Sequence, residues 1–245
     1  MGHPHDGLVH PLRAALTGLI DYAGLFPPAN LDLRHTIANF DRYASSGERW
    51  LLGRLIVPLG QLGNLARLVD QSHHDTPWTI SLLVQANDPI DSIAARVVAF
   101  NARYAPSRTA IVAVESTAHR PDDVARFAAA VPSSIERYVE IPLDGDVPRL
   151  LDAIFVAGCY AKARTGGITA DRIPSVRALA CFLAASAGRD VPGKLTAGLH
   201  HPLRREHSVS TDDLVRTRTR LLRSIGSCSF EEPIADLKSL GWWIS

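Results

Sequence analysis

Lysine is nearly missing from this chain. Lys and Arg together number 26 in 245 residues, yet only Lys162, Lys194 and Lys238 are lysine. A surface ordinarily accepts either cation, so lysines that survive where arginine has taken almost every basic position are candidates for work a guanidinium cannot do. An amine can shed its proton and attack a carbonyl carbon; a guanidinium, with a pKa above about 12, cannot. Cysteine is scarce as well. Cys159, Cys181 and Cys228 are odd in number and far apart, which argues against a disulfide framework or a zinc site and for reduced thiols in a cytoplasm. No apolar run reaches the roughly 18 residues of a membrane helix. The net charge is only +1, and no block of like charge marks a nucleic-acid surface. The opening MGHPHDGLVHPL lacks the apolar segment of a signal peptide. A Gly-rich dinucleotide fingerprint is also absent, because the first strand runs into Asp21-Tyr22-Ala23-Gly24-Leu25 rather than G-x-G-x-x-G.

What is present is strand followed by helix, repeated. Strands are expected at Thr17–Tyr22, Leu52–Val57, Thr79–Gln85, Ala110–Glu115, Tyr138–Leu143, Cys159–Arg164, Gly193–Ala197 and Ser224–Ser229. Helices are expected between them, with Asn30 as the first N-cap. One helix carries Leu62, Leu65, Leu68 and Val69 on a single face, another Ile93, Val97, Val98 and Phe100, and a third spans Thr211–Leu222. No Gly-, Pro- or Ser-rich linker divides the chain. Eight such units predict a single α/β domain over residues 1–245, a (β/α)8 TIM barrel, with residues 1–12 as a flexible tail.

In such a barrel the chemistry sits where the C-terminal ends of the strands converge. Polar residues gather at those ends: Asp21, Glu115, Glu140, the pair Lys162 and Arg164, and the pair Lys194 and Thr196. Residues two apart on a strand share a face, so Lys162 and Lys194, on successive strands, are expected side by side. Mutual repulsion and desolvation are then expected to lower a lysine pKa, one route to a nucleophilic amine. Asp21 could instead cap its loop, and Glu140 could simply neutralise a nearby cation. Thr165, Gly166 and Gly167 follow strand six, and Gly198, His200 and His201 follow strand seven. These positions, together with Thr196 and with Arg164 as an anion or substrate binder, are candidates for substrate binding, and small residues let backbone N–H groups approach an anion. Tight turns would explain the same glycines.

Three collinear segments resemble the deoxyribose-phosphate aldolases. Leu19-Ile20-Asp21-Tyr22-Ala23-Gly24-Leu25-Phe26-Pro27-Pro28-Ala29 is similar to their Ile-Asp-His-Thr-Leu-Leu-x-Pro-x-Ala. Lys162-Ala163-Arg164-Thr165-Gly166-Gly167 is similar to Lys-Thr-Ser-Thr-Gly-Phe, and Lys194-Leu195-Thr196-Ala197-Gly198-Leu199-His200 to Lys-Ala-x-Gly-Gly-Ile-Arg. The resemblance implies a class I aldolase with neither metal nor other cofactor. Lys162 would be the Schiff-base amine, Lys194 would depress its pKa, and Asp21 would match the strand-one aspartate. The family's strand-four aspartate has no counterpart; Glu115 and Glu140 stand nearest. Arg164 replaces a serine, Gly167 a phenylalanine, and Ala197-Gly198-Leu199-His200 the phosphate-binding segment.

Two other readings use the same residues. One is a metal-dependent barrel with His and carboxylate ligands, drawing on His3-x-His5, His73-His74-Asp75 or His200-His201. The other is a non-catalytic barrel that binds a small molecule. The expected partner is a small carbonyl compound, anionic or neutral. Nucleic acid and membrane are not expected partners. Trp242-Trp243-Ile244 could cover the barrel base or make a homo-oligomer contact.

Overall fold

The computed structural model describes residues 11–71, 76–85, 88–167, 173–197 and 221–239. Eight strands run β1 Ile20–Tyr22, β2 Leu52–Pro58, β3 Trp78–Leu83, β4 Thr109–Thr117, β5 Glu136–Glu140, β6 Tyr160–Arg164, β7 Gly193–Thr196 and β8 Leu222–Ser227. Each pairs in parallel with the next. β1 closes on β8 through Ile20↔Ile225, Asp21↔Gly226 and Tyr22↔Ser227, making a closed barrel in the order β1 to β8. The expected (β/α)8 fold is what the chain adopts, including its eighth strand.

Helices α1 Pro11–Leu16, α2 Leu33–Ala44, α3 Leu62–Gln71, α4 Ile93–Tyr104, α5 Pro121–Ala130, α6 Val147–Val156, α7 Val176–Gly188 and α8 Glu231–Ser239 surround the sheet. Nearly all of the helix expected over Thr211–Leu222 lies outside the described residues. Among the described residues, no helix is long and apolar enough to cross a membrane.

The first unit departs from expectation. Pro11 already opens α1, and β1 is three residues long rather than six. Gly18 adopts φ +62°, a left-handed geometry that an L side chain resists, so the chain turns there before entering the strand. Asn30 is not the cap of α2. Asp32 is, and its carboxylate accepts from the His35 amide at 2.9 Å, while Asn30 sits at φ +46°.

Alternation along the strands separates two environments. The outward residues Leu55, Val57, Ile80, Leu82, Val139, Ala161 and Ala163 are buried under the helices. They meet Ile37 and Phe40 of α2, Leu65 of α3, Val97 and Phe100 of α4, Phe127 of α5 and Ile154 of α6 in one continuous apolar shell. Full burial of each Val, Leu, Ile or Phe among them contributes about 1.5–3 kcal/mol. Val98 falls outside that shell at 57% exposure, because five residues at 100° per step turn it well away from Ile93.

Many of the inward residues are polar. A barrel interior is ordinarily filled by layers of Val, Ile and Leu. Here Asp21, Ser81, Glu115, Lys162, Lys194 and Ser224 are all buried. The apolar core therefore lies between sheet and helices, and the lumen is held by charge.

Candidate active site

Register places the two lysines together. On β6 and β7, Lys162 is the Cα partner of Lys194, so both point into the lumen. A carboxylate lies between them. Glu115 accepts from Lys194 Nζ through Oε1 at 2.8 Å and pairs with Lys162 Nζ through Oε2 at 3.0 Å. Ser81 Oγ donates to the same Oε1 at 2.5 Å. Lys194 also reaches Asp21 Oδ2 at 2.7 Å, where Ser224 Oγ donates at 2.6 Å. The Arg54 backbone N–H donates to Asp21 Oδ1 at 2.8 Å. Towards the mouth, Lys162 pairs with Glu140 Oε2 at 2.8 Å, and Arg164 Nε donates to Glu140 Oε1 at 3.2 Å. The result is one alternating chain of charge, from Asp21 through Lys194, Glu115, Lys162 and Glu140 to Arg164.

Depth separates the roles. Lys194 and Asp21 are shut away from solvent, at 0% and 1% exposure, whereas Lys162 keeps 4%. Arg164 is exposed at the rim, with 49% of its side chain open.

The two lysines do not face each other directly, since Glu115 lies between them. Lys194 has its pKa raised. Burial pushes it down, but Asp21 and Glu115 push it up by more. The expectation of a lowered value treated two ammonium groups as facing each other directly, and the interposed carboxylate reverses the sign. Glu115 is held far below the usual carboxylate range, since the pull of Lys194 and Lys162 overcomes the opposing effect of burial. Glu140 is lowered against its burial by Lys162 and Arg164.

Other expected positions shift as well. Glu115 is not at the end of its strand, because β4 continues to Thr117 and buries it in the lumen. Asp21 sits mid-strand and is committed to Lys194, Ser224 and the Arg54 amide rather than to capping the loop that follows. Thr165 spends its hydroxyl on the Thr196 carbonyl at 3.2 Å and on the Ala197 carbonyl, tying the β6 loop to β7. Gly166 is buried and Gly167 exposed. Thr196 faces the lumen two residues above Lys194, and its Oγ1 has no hydrogen-bond partner among the described residues. Gly198, His200 and His201 lie outside the described residues, as do His3, His5, His73, His74, Asp75 and Trp242-Trp243-Ile244. Among the described residues, no group of three or more His, Cys, Asp and Glu could hold a metal ion.

A second cluster at the N-terminal end of the barrel escaped the sequence reading. Glu136 takes Arg54 at 2.5 Å and also pairs with Arg223. Tyr138 donates its hydroxyl to Glu136 at 2.7 Å, and its ring lies 5.3 Å from Lys194 Nζ. Burial raises the Tyr138 pKa. The available signal was a charged residue inside an apolar strand, as in Gly53-Arg54-Leu55.

Fold and site together define a (β/α)8 barrel with a charge-compensated lysine–carboxylate chain running to its mouth. No protein-family model matches the sequence, and no curated protein matches it.

Proposed function

We propose that this barrel is a lyase of the class I aldolase type, with Lys162 condensing with a small aldehyde or ketone. The observation that supports it most is the position of Lys162. It is the lumen lysine nearest the mouth, and it has carboxylates at 2.8 and 3.0 Å to accept its proton.

The chemistry runs as follows. Lys162 passes a proton to Glu140 or Glu115, and its lone pair attacks the carbonyl carbon. The attacking nitrogen, now carrying positive charge, gives up its second proton to a carboxylate while the carbonyl oxygen takes one up, giving a neutral carbinolamine. A further proton on that oxygen lets it leave as water, and the nitrogen lone pair forms the protonated imine. In the cleavage direction a carboxylate removes the proton of a hydroxyl on the next carbon but one. The bond between that hydroxyl-bearing carbon and the carbon next to the imine breaks, releasing an aldehyde or ketone, and its electron pair flows towards the imine nitrogen to leave an enamine. Protonation at carbon and hydrolysis return the amine. Lys194 acts as a positioning residue: it keeps Glu115 ionised and in place beneath Lys162.

A metal-dependent reading draws no support from these carboxylates. Asp21, Glu115 and Glu140 each already face an ammonium or guanidinium, which would repel an entering cation.

Borohydride reduction in the presence of candidate aldehydes and ketones tests the proposal. The expected result is one covalent adduct per chain, mapped to Lys162 by peptide mass, and none in Lys162→Arg. Absence of any adduct at Lys162 across the panel would remove the imine mechanism.

A further inference from the structure

Arg164 is the odd member of the charge chain. Only its Nε is used, by Glu140. Among the described residues, neither terminal guanidinium nitrogen has a partner, and the side chain stands at the rim with 49% of its surface open. Arg164 and Lys162 lie on the same face of β6, about 6–7 Å apart at Cα. Their heads converge on one carboxylate, with Lys162 on Glu140 Oε2 and Arg164 on Oε1. A fork that offers two parallel N–H donors suits a carboxylate, and this one stands beside the amine.

Counted over the described residues, the charged groups of the lumen comprise one more cation than carboxylate. Among the described residues, five cations (Arg54, Lys162, Arg164, Lys194 and Arg223) pair with four carboxylates (Asp21, Glu115, Glu136 and Glu140). Of that set, Arg164 has the side chain most open to solvent. Its register partner Thr196 carries a buried hydroxyl that has no hydrogen-bond partner among the described residues.

We propose that the carbonyl substrate is a 2-oxo acid, its carboxylate gripped by Arg164 while Lys162 takes the adjacent keto carbon. This rests on the imine reading and specifies its substrate. In a 2-oxo acid the carboxylate is bonded directly to the carbon that Lys162 attacks. That places the anion within the short span set by the shared Glu140. A charged group several carbons away would pass beyond the guanidinium. Imine formation keeps one positive charge on the nitrogen, so the substrate carboxylate offsets the surplus cation without disturbing the pairs below.

The test uses the full chain, with pyruvate and acetaldehyde as probes, borohydride trapping, and peptide mass at Lys162. In the wild type both probes are expected to label Lys162. In Arg164→Gln the pyruvate concentration for half-maximal labelling should rise on the order of ten- to a hundredfold relative to that for acetaldehyde, the loss expected for hydrogen bonds to a charged group. Arg164→Lys, which keeps the charge but not the fork, should fall between. The proposal is overturned if acetaldehyde labels Lys162 and pyruvate does not. It is overturned equally if the ratio for the two probes is the same in Arg164→Gln as in the wild type. If neither probe labels Lys162, the imine reading itself falls.

Discussion

Glu115→Gln probes the centre of the lumen. Glu115 is 1% exposed and joins both lysines while accepting from Ser81. Glutamine keeps the shape but removes the charge, and its amide turns a donor towards an ammonium donor. Lys194 keeps only Asp21 as a counter-charge, and Lys162 keeps only Glu140. Removing one partner of a buried ion pair costs about 3–5 kcal/mol. Both cations retain a second carboxylate, so the lower half of that range, about 3–4 kcal/mol, is expected. For a domain of this size about 2–4 °C of Tm follows each kcal/mol, giving a loss of roughly 6–16 °C at pH 7. The pH dependence supplies an independent check. The folded pKa of Glu115 lies well below its ordinary 4.5, so its stabilisation is fully present above pH 4.5. It is lost as pH falls towards the folded value, by at most about 1.4 kcal/mol per pH unit. The gap between wild type and variant, followed by circular dichroism, should be constant from pH 5 to neutrality and narrow in acid. A Tm within experimental scatter of wild type at pH 7, or a gap that widens in acid, would refute the account of Glu115 as the charge that binds both amines.

Other substitutions read other parts of the site. Lys162→Arg should retain the fold, as circular dichroism would show, yet lose all borohydride-trapped adduct. Lys194→Met should destabilise the chain by about 3–5 kcal/mol at neutral pH by stranding Asp21 and Glu115. Because its folded pKa is raised above 10.5, the Lys194 contribution should be whole below that pH and disappear as pH climbs through the folded value, which denaturant titration in alkali would follow. Gly53→Ala should cost about 1–3 kcal/mol by overpacking, since a Cβ there would collide with Asp21 Oδ1; a urea midpoint equal to wild type would contradict that crowding. Glu140→Gln should slow trapping at Lys162 more than it lowers Tm, measured as adduct formed against time beside a thermal melt.

Alternating apolar residues and the helical stripes on α3 and α4 are local properties, and they made the eight-unit barrel readable from the chain alone. The scarcity of lysine singled out Lys162 and Lys194 in the same way, and the two-residue strand period put Arg164 on the Lys162 face and Thr196 on the Lys194 face. Neither pattern could say what lies between the amines. Glu115 is 79 residues from Lys194, and Asp21 is 173. Their contacts exist only because the sheet closes, bringing β1 beside β8 and β4 across from β7. Spacing along the chain carries no information about which strands face each other across a lumen, or how far each is staggered. The sign of the electrostatic effect on Lys194 depends on those distances. So does the second cluster, where Arg54, Glu136 and Arg223 meet from three strands. Local sequence thus determined the elements and which way their side chains point, while barrel closure decided which charges touch.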